Sequence, residues 1–194
     1  MTRRNYEIGT AFTGTGTAST AGDAVTGVGT AFTTEFAAGY LIQLSDQWRV
    51  VESVADDTHL TVTNAFAPDV VAQPVTGVNL KNVELLTTPV TPPKGLYEPW
   101  TTTIPLGSGL TRGAGFPKAT WHYDFLRQSH RDQLRLFCTG KSAAVYIRTT
   151  VNDAQDEFRY FSAVMNWPDR EERQFTRRMN IDFEMRELVE LDIG

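Results

Sequence analysis

Residues 174–188 constrain the fold of this chain more than any other segment, because their apolar and polar side chains alternate. The odd positions include Phe175, Met179, Ile181, Phe183 and Met185, and the even positions are Arg178, Asn180, Asp182, Glu184 and Arg186. Successive side chains of a strand point to opposite faces of its sheet, whereas a helix repeats every 3.6 residues. The pattern predicts a long strand over Gln174–Leu188, in a sheet with one buried and one solvent-facing side.

The segment before this strand predicts one helix and two more strands. The helix lies within Trp121–Cys138 and begins either at Ser129, which has a capping pattern, or earlier, at Asp124. The two strands are predicted at Ala143–Thr150 and Glu157–Met165. Residues 119–194 are therefore expected to form an α+β or β-sandwich domain with one flanking helix.

Thr, Gly and Ala dominate the first part of the chain, which has no Lys or Arg between Arg4 and Arg49. Thr favours strands, and repeated Gly marks tight turns. The pentapeptide Gly9–Thr13 returns as Gly29–Thr33, which indicates two similar strand starts, each with a phenylalanine facing a core. Clearer strands follow at Tyr40–Leu44, Trp48–Val54 and His59–Thr63. We predict a mainly β protein whose residues 1–86 form a small β-barrel or sandwich.

Residues 87–118 are rich in proline and glycine and join these two regions. Proline removes hydrogen-bond donors from a sheet, and thirty such residues are long for a simple connection. The segment is either an interdomain linker or an arm that packs on another subunit. Its apolar content favours the arm, and the candidate subunit-interface residues are Leu96, Tyr97, Trp100, Ile104, Leu110 and Phe116.

Composition excludes several classes of protein. The 194 residues include 18 Lys or Arg and 23 Asp or Glu, a net charge of −5, which argues against a protein that coats DNA. The single cysteine, Cys138, excludes an intramolecular disulfide framework and a cysteine-based zinc site. No apolar run is long enough to cross a bilayer, and the first six residues lack the apolar segment of a secretory signal. We expect a soluble protein of a reducing compartment, without membrane insertion.

The sequence contains no recognisable catalytic or metal-binding motif. The histidines His59, His122 and His130 lack metal-ligand spacing, although His122 and His130 each precede an aspartate by two positions and leave an acid–base or metal pair open. Cys138 falls on the apolar helix face, where we expect a buried, inert thiol. The carboxylates Asp153, Asp156 and Glu157 lack the spacing of a calcium loop and are expected at a hairpin tip. We therefore predict no enzymatic activity, no metal and no cofactor.

Two stretches resemble proteins of tailed phages. The first follows the pattern T-G-x-G-T-x-F … G-x-x-I … V-x-S-V-x-x-D-T-x-L-T, covers about 45 residues, and comprises Val25–Phe32, Gly39–Ile42 and Val51–Val62. It is similar to small β-domains of phage virion proteins. The second comprises Gly115–Trp121, Val145–Thr149 and Phe161–Pro168, and it looks like tail tube, distal tail and related minor tail proteins.

The resemblance implies a structural virion protein, made in the host cytoplasm and located in the phage tail. It would form a homo-oligomeric ring, expected to be hexameric, in the tail tube or in the tail tip or baseplate. Its partners would be other tail proteins, with genomic DNA only as passing cargo. Asp182 and Glu184, on the polar face of the long strand, are the candidates for the lumen.

Two other functions stay open at this point. The chain could be a host-surface glycan-binding module of a tail fibre or baseplate, with Trp48, Tyr40 or Trp100 as stacking platforms. It could also be a head–tail connector or tail-completion protein. An enzyme would need a site whose partners are scattered along the sequence.

Overall fold

The structure, a computed structural model, describes residues 5–89, 91–169, 172–174 and 177–194. Its strands, numbered in chain order, are β1 Glu7–Gly9, β2 Ala11–Ala21, β3 Ala24–Val28, β4 Leu41–Leu44, β5 Gln47–Val54, β6 His59–Val62, β7 Gln73–Val78, β8 Lys81–Asn82, β9 Lys94–Glu98, β10 Thr102–Pro105, β11 Thr111–Ala114, β12 Lys118–Arg127, β13 Ser142–Asn152, β14 Glu157–Asn166, β15 Glu172–Gln174 and β16 Arg177–Glu190. The helices are α1 Phe32–Glu35 and α2 Gln128–Arg135, with 3₁₀ turns at Val83–Leu85 and Asp153–Gln155. The prediction of a mainly β protein is confirmed.

The chain divides into two compact units. Most of one unit is inserted, in sequence, between two segments of the other, which is called the second unit below. Residues 9–80 and 191–194 form one unit, whereas residues 5–8 and 81–190 belong to the other. Strands β1 and β8 flank the insertion and pair antiparallel, with Ile8 opposite Lys81. The predicted boundary after residue 86 differs from this division, because Tyr6, Ile8 and Val83 are buried in the core of the second unit.

The inserted unit is a closed barrel of six strands in the order β2-β3-β6-β5-β4-β7. The strands predicted around residues 40–63 are confirmed as β4, β5 and β6. Phenylalanines and aliphatic side chains fill the interior, with Phe32, Ile42 and Leu44 fully buried. The sequence leaves both a barrel and a sandwich open, and the structure shows a barrel.

The residues of the repeated pentapeptide adopt two different structures. Gly9–Thr13 leads into β2, but Gly29–Thr33 leads into α1, so the prediction of two strand starts is wrong for the second copy. The buried Thr30 donates its hydroxyl to the carbonyl of Asp57 at 2.6 Å, and the Asp57 carboxylate accepts a hydrogen bond from the Thr33 hydroxyl. These bonds hold Phe32 in the core, so the predicted inward direction of its side chain is confirmed although the segment is not a strand.

Gly27 completes this arrangement. The Thr30 side chain lies directly over the Gly27 α-carbon, and a β-carbon there would overlap it. The first of the two stretches that resemble phage proteins therefore contains residues that build the barrel, namely Gly27, Thr30, Phe32 and Asp57.

The second unit is one eight-stranded sheet, in the order β8-β1-β13-β14-β16-β12-β9, with β15 on β16. The sheet curls, so that its edge strand β9 lies close to β13. Trp121 lies at the centre of the enclosed core, where its Nε1 donates to Thr149 Oγ1 at 3.0 Å and the Tyr6 ring packs edge-on against the indole. The long strand predicted over Gln174–Leu188 is confirmed for residues 177–188, which lie in β16, whereas Gln174 belongs to the separate strand β15 and Phe175 lies outside the described residues.

The helix predicted within Trp121–Cys138 begins at Gln128, one residue before the proposed start at Ser129, and a strand occupies the first part of the predicted segment. Residues 118–127 form β12, in which Ala119, Trp121 and Tyr123 face the core while Thr120 and His122 do not. Only residues 128–135 are helical. The start at Asp124 is wrong, because the two-residue alternation before it matches the pairing of β12 with β16.

Replacing Thr30 with valine tests the role of the motif in the barrel. The variant keeps the branched shape but loses the hydrogen bond to Asp57, so we expect the free energy of barrel opening to fall by about 1 kcal/mol. Hydrogen exchange of the β3 and β6 amides measures this change. Thr26→Val, on the exposed face of β3, is the control and should leave exchange unchanged; equal effects of both substitutions would contradict a specific role for Thr30.

Candidate functional site

The most distinctive surface feature is a β-hairpin that belongs to neither the barrel nor the large sheet. Among the described strands, β10 and β11 pair only with each other, from Thr102 opposite Ala114 to Pro105 opposite Thr111. The turn between them is closed by hydrogen bonds from Leu106 N to Leu110 O at 2.7 Å and from Gly109 N to Leu106 O at 3.0 Å. Gly109 has a φ of +82°, a conformation that glycine adopts without strain. We call residues 102–114 the ribbon.

The two faces of the ribbon differ in chemistry. One face carries Ile104, Leu106 and Leu110, which are 50%, 44% and 68% exposed, together with Arg112. On the opposite face the Trp100 ring lies against the Gly113 backbone, where a β-carbon would overlap the indole. Three large apolar side chains thus share one solvent-exposed face that no described part of the chain covers.

The six predicted interface residues fall into two groups. Leu96, Trp100, Ile104, Leu110 and Phe116 are all at least half exposed. Tyr97 differs from the expectation, because β9 pairs with β12 and turns this side chain inward, where its ring stacks on Phe161 with 5.9 Å between centroids. Burial raises the pKa of Tyr97. The arm is therefore an edge strand of the sheet followed by the ribbon.

The ribbon has two properties that are unusual for a solvent-exposed part of a protein. An isolated two-stranded hairpin is marginally stable, and contiguous exposed apolar surface marks an interaction site. The ribbon combines both properties. Its geometry fits a surface that another molecule covers.

The two lumen candidates lie on the solvent-facing side of the sheet, each beside a basic side chain. Asp182 lies 2.7 Å from His122 Nδ1, and Glu184 lies 2.6 Å from Arg186. His122 also contacts Asp124 at 3.1 Å, and a hydrogen bond from Lys94, supported by His122, lowers the pKa of Asp124. Both carboxylates lie on the polar face of the strand that the alternating sequence predicts. Their position in a lumen stays a prediction.

The other polar residues singled out in the sequence lie apart from one another in the described part of the chain. Within the described ranges, no group of three or more His, Cys, Asp and Glu side chains is placed to hold a metal ion. His59 is exposed and contacts Asp56 at 2.9 Å, and Glu157, one of the possible calcium ligands, pairs with Arg159 at 2.6 Å. The Asp153 side chain lies outside the described residues. Cys138 is buried as predicted, and burial raises the pKa of its thiol.

His130 is buried rather than paired with Asp132. Asp132 instead accepts hydrogen bonds from Gln128 and Arg131. His130 Nδ1 lies 3.4 Å from Thr87 Oγ1, whereas Nε2 has no hydrogen-bond partner among the described residues. Burial lowers the pKa of His130, so the imidazole stays neutral in the folded protein at neutral pH.

The predicted stacking platforms for a glycan are poorly placed. The Trp48 side chain is only 7% exposed and Tyr40 packs against the barrel core. The Trp100 ring is half exposed, but Gly113 occupies one of its faces. These positions do not form a shared aromatic surface.

Comparison of the chain with protein-family models, with curated proteins and with solved structures finds no match. Among the described residues, no helix combines the length and the apolar character needed to cross a membrane.

The burial of His130 predicts a loss of stability in acid. Because the pKa of His130 is lowered on folding, the unfolded chain binds the proton more readily, and stability falls as the pH drops below about 6.5. One such proton changes the free energy of unfolding by at most about 1.4 kcal/mol per pH unit. Urea unfolding at pH 7 and pH 5 should show a smaller acid-induced loss in His130→Gln than in the unchanged protein.

His59→Gln, at an exposed histidine, is the matched control, because it removes an imidazole without altering the buried site of His130. The carboxyl groups of Glu7 and Glu84, whose pKa values burial raises, are common to all three proteins and cancel in the comparison. An unchanged pH dependence in His130→Gln would show that His130 is not the responsible group.

Proposed function

We propose that this chain is a structural protein of a tailed-phage virion, which assembles with copies of itself into a ring, expected to be hexameric, in the tail tube or in the tail tip or baseplate. The observation that carries the proposal is the ribbon, a separate hairpin with three exposed large apolar side chains on one face. In this proposal the ribbon of each copy packs against a neighbouring copy, and the chain has no catalytic role.

The energetics of the ribbon support repeated contacts between copies. Covering the exposed half of Ile104, Leu106 or Leu110 contributes about 1 kcal/mol for each side chain. A contact of this size is weak for two isolated molecules, since association itself costs several kcal/mol. In a closed ring every copy both gives and receives the contact, so small contributions accumulate around the circle.

The assignment to a phage tail rests on the two resemblances described above. The residues that match the phage β-domain pattern include those that build the barrel, such as Gly27, Thr30 and Asp57. In this proposal Asp182 and Glu184 face a lumen through which DNA passes, and the net charge of −5 keeps the ring from binding the DNA backbone. In this proposal, other tail proteins contact the ring from either side, and DNA is cargo only.

A head–tail connector would use the same ribbon for assembly. Imaging of the assembled particle distinguishes a connector from a tail ring, because the two differ in symmetry and in the proteins that lie next to them. The glycan-binding alternative is less well supported, because Trp48 is buried in the barrel unit. A stable monomer that binds saccharides would favour that alternative over the proposed assembly.

The double substitution Ile104→Ser/Leu110→Ser should abolish assembly while leaving the monomer folded. Both side chains are exposed, so their loss removes the surface that a neighbour covers and does not open the core. Native mass measurement with negative-stain imaging should show rings for the unchanged protein and monomers for this variant.

The matched control is Val28→Ser/Val71→Ser, which removes two apolar side chains that are 74% and 75% exposed on the barrel. It should assemble like the unchanged protein. A deletion test should remove residues 102–114 and spare β9, because β9 is part of the sheet. Rings that persist after the ribbon substitutions would refute its role in assembly.

A further inference from the structure

We infer that the ribbon joins a second copy of this chain by strand addition, through the outer edge of β11 and not through that of β10. The inference rests on the proposed self-assembly and specifies which backbone groups carry it. It follows from the register of the hairpin and from the position of one proline.

The register decides which backbone groups of the ribbon point outward. Paired residues of an antiparallel hairpin alternate between those that exchange hydrogen bonds with each other and those whose N–H and C=O groups point away. The bond from Leu106 to Leu110 fixes the phase, so Ile104 and Arg112 bond to each other. The outward-pointing residues are then Thr103 and Pro105 on β10, and Thr111 and Gly113 on β11.

The two outer edges of the ribbon are not equivalent. Pro105 has no N–H, so β10 offers only the Thr103 donor, and proline on an edge strand hinders further pairing. The β11 edge offers the N–H and C=O groups of both Thr111 and Gly113, two residues apart, as a new strand requires. No hydrogen-bond partner of these groups lies in the described part of the chain.

Trp100 prepares the β11 edge for pairing. Because Gly113 has no side chain, the Trp100 ring lies directly against its backbone. This contact holds β11 in place before a partner binds. An edge that is already ordered loses less conformational entropy when it binds. The apolar face formed by Ile104, Leu106 and Leu110 then packs beside the new strand pair.

Charge favours a second copy of the chain as the partner. Arg112 is the single charged residue between positions 99 and 117. The other residues of the chain include 17 Lys or Arg and 23 Asp or Glu, a net charge of −6. A cationic ribbon is therefore attracted to the acidic remainder of another copy, and its own face carries no carboxylate to repel it.

Two proline substitutions test which edge is used. Thr111→Pro removes an outward N–H from β11, whereas Thr103→Pro removes the outward N–H from β10, and neither removes a hydrogen bond within the ribbon. We expect Thr111→Pro to convert the assembled population to monomers in native mass spectra, and Thr103→Pro to leave it unchanged. Protection of the Ile104 and Arg112 amides, which bond across the ribbon, checks by hydrogen exchange that the ribbon stays folded in both variants.

Hydrogen exchange gives a second test that leaves the ribbon unaltered. Upon assembly of the unchanged protein, the Thr111 and Gly113 amides should become protected by at least tenfold, while the Thr103 amide keeps its exchange rate. Protection of Thr103 instead, or normal assembly of Thr111→Pro, would overturn the edge assignment. If Ile104→Ser/Leu110→Ser still prevented assembly in that case, the proposed function would stand without this inference; if that variant also assembled, both would fail.

Discussion

The second unit depends on a single constraint, the two-faced strand β16. This strand pairs with β12 on one side and with β14 and β15 on the other. Because Ile181, Phe183 and Met185 are buried, a slip of one residue would expose all three and bury the charged residues between them. The same register places Phe183 opposite Trp121 and Asp182 opposite His122, so the core and the polar outer face are specified together.

How far the sequence predicts this fold depends on where each contact lies along the chain. Strands β13, β14 and β16 are long and alternate clearly, so local patterns suffice to find them. The sequence leaves the end of β12 open to a helix that begins at Asp124, because the apolar residues that follow this strand fit a helical face. Strands β1 and β8 have only three and two residues, and their pairing across the inserted barrel has no local signal.

The same reasoning explains what was predicted of the candidate site. Prolines and glycines among apolar residues indicate an arm, and the ribbon retains the exposed Ile104 and Leu110 that this reading requires. The inward turn of Tyr97 follows from the pairing of β9 with β12, a contact between segments that the sequence cannot align. The burial of Trp48 likewise depends on closure of the barrel, because an alternating strand leaves open which of its faces is inside.

The ribbon reconciles two requirements that oppose each other in a self-assembling protein. An apolar surface and an open strand edge promote association, but in a single copy they also promote uncontrolled aggregation. Here Pro105 blunts one edge, Arg112 places a charge on the apolar face, and Trp100 shields part of the other face. Under the proposed function, association is thereby directed to one edge, and a ring closes when this edge binds a different surface of the neighbouring copy, so that every copy gives and receives one contact.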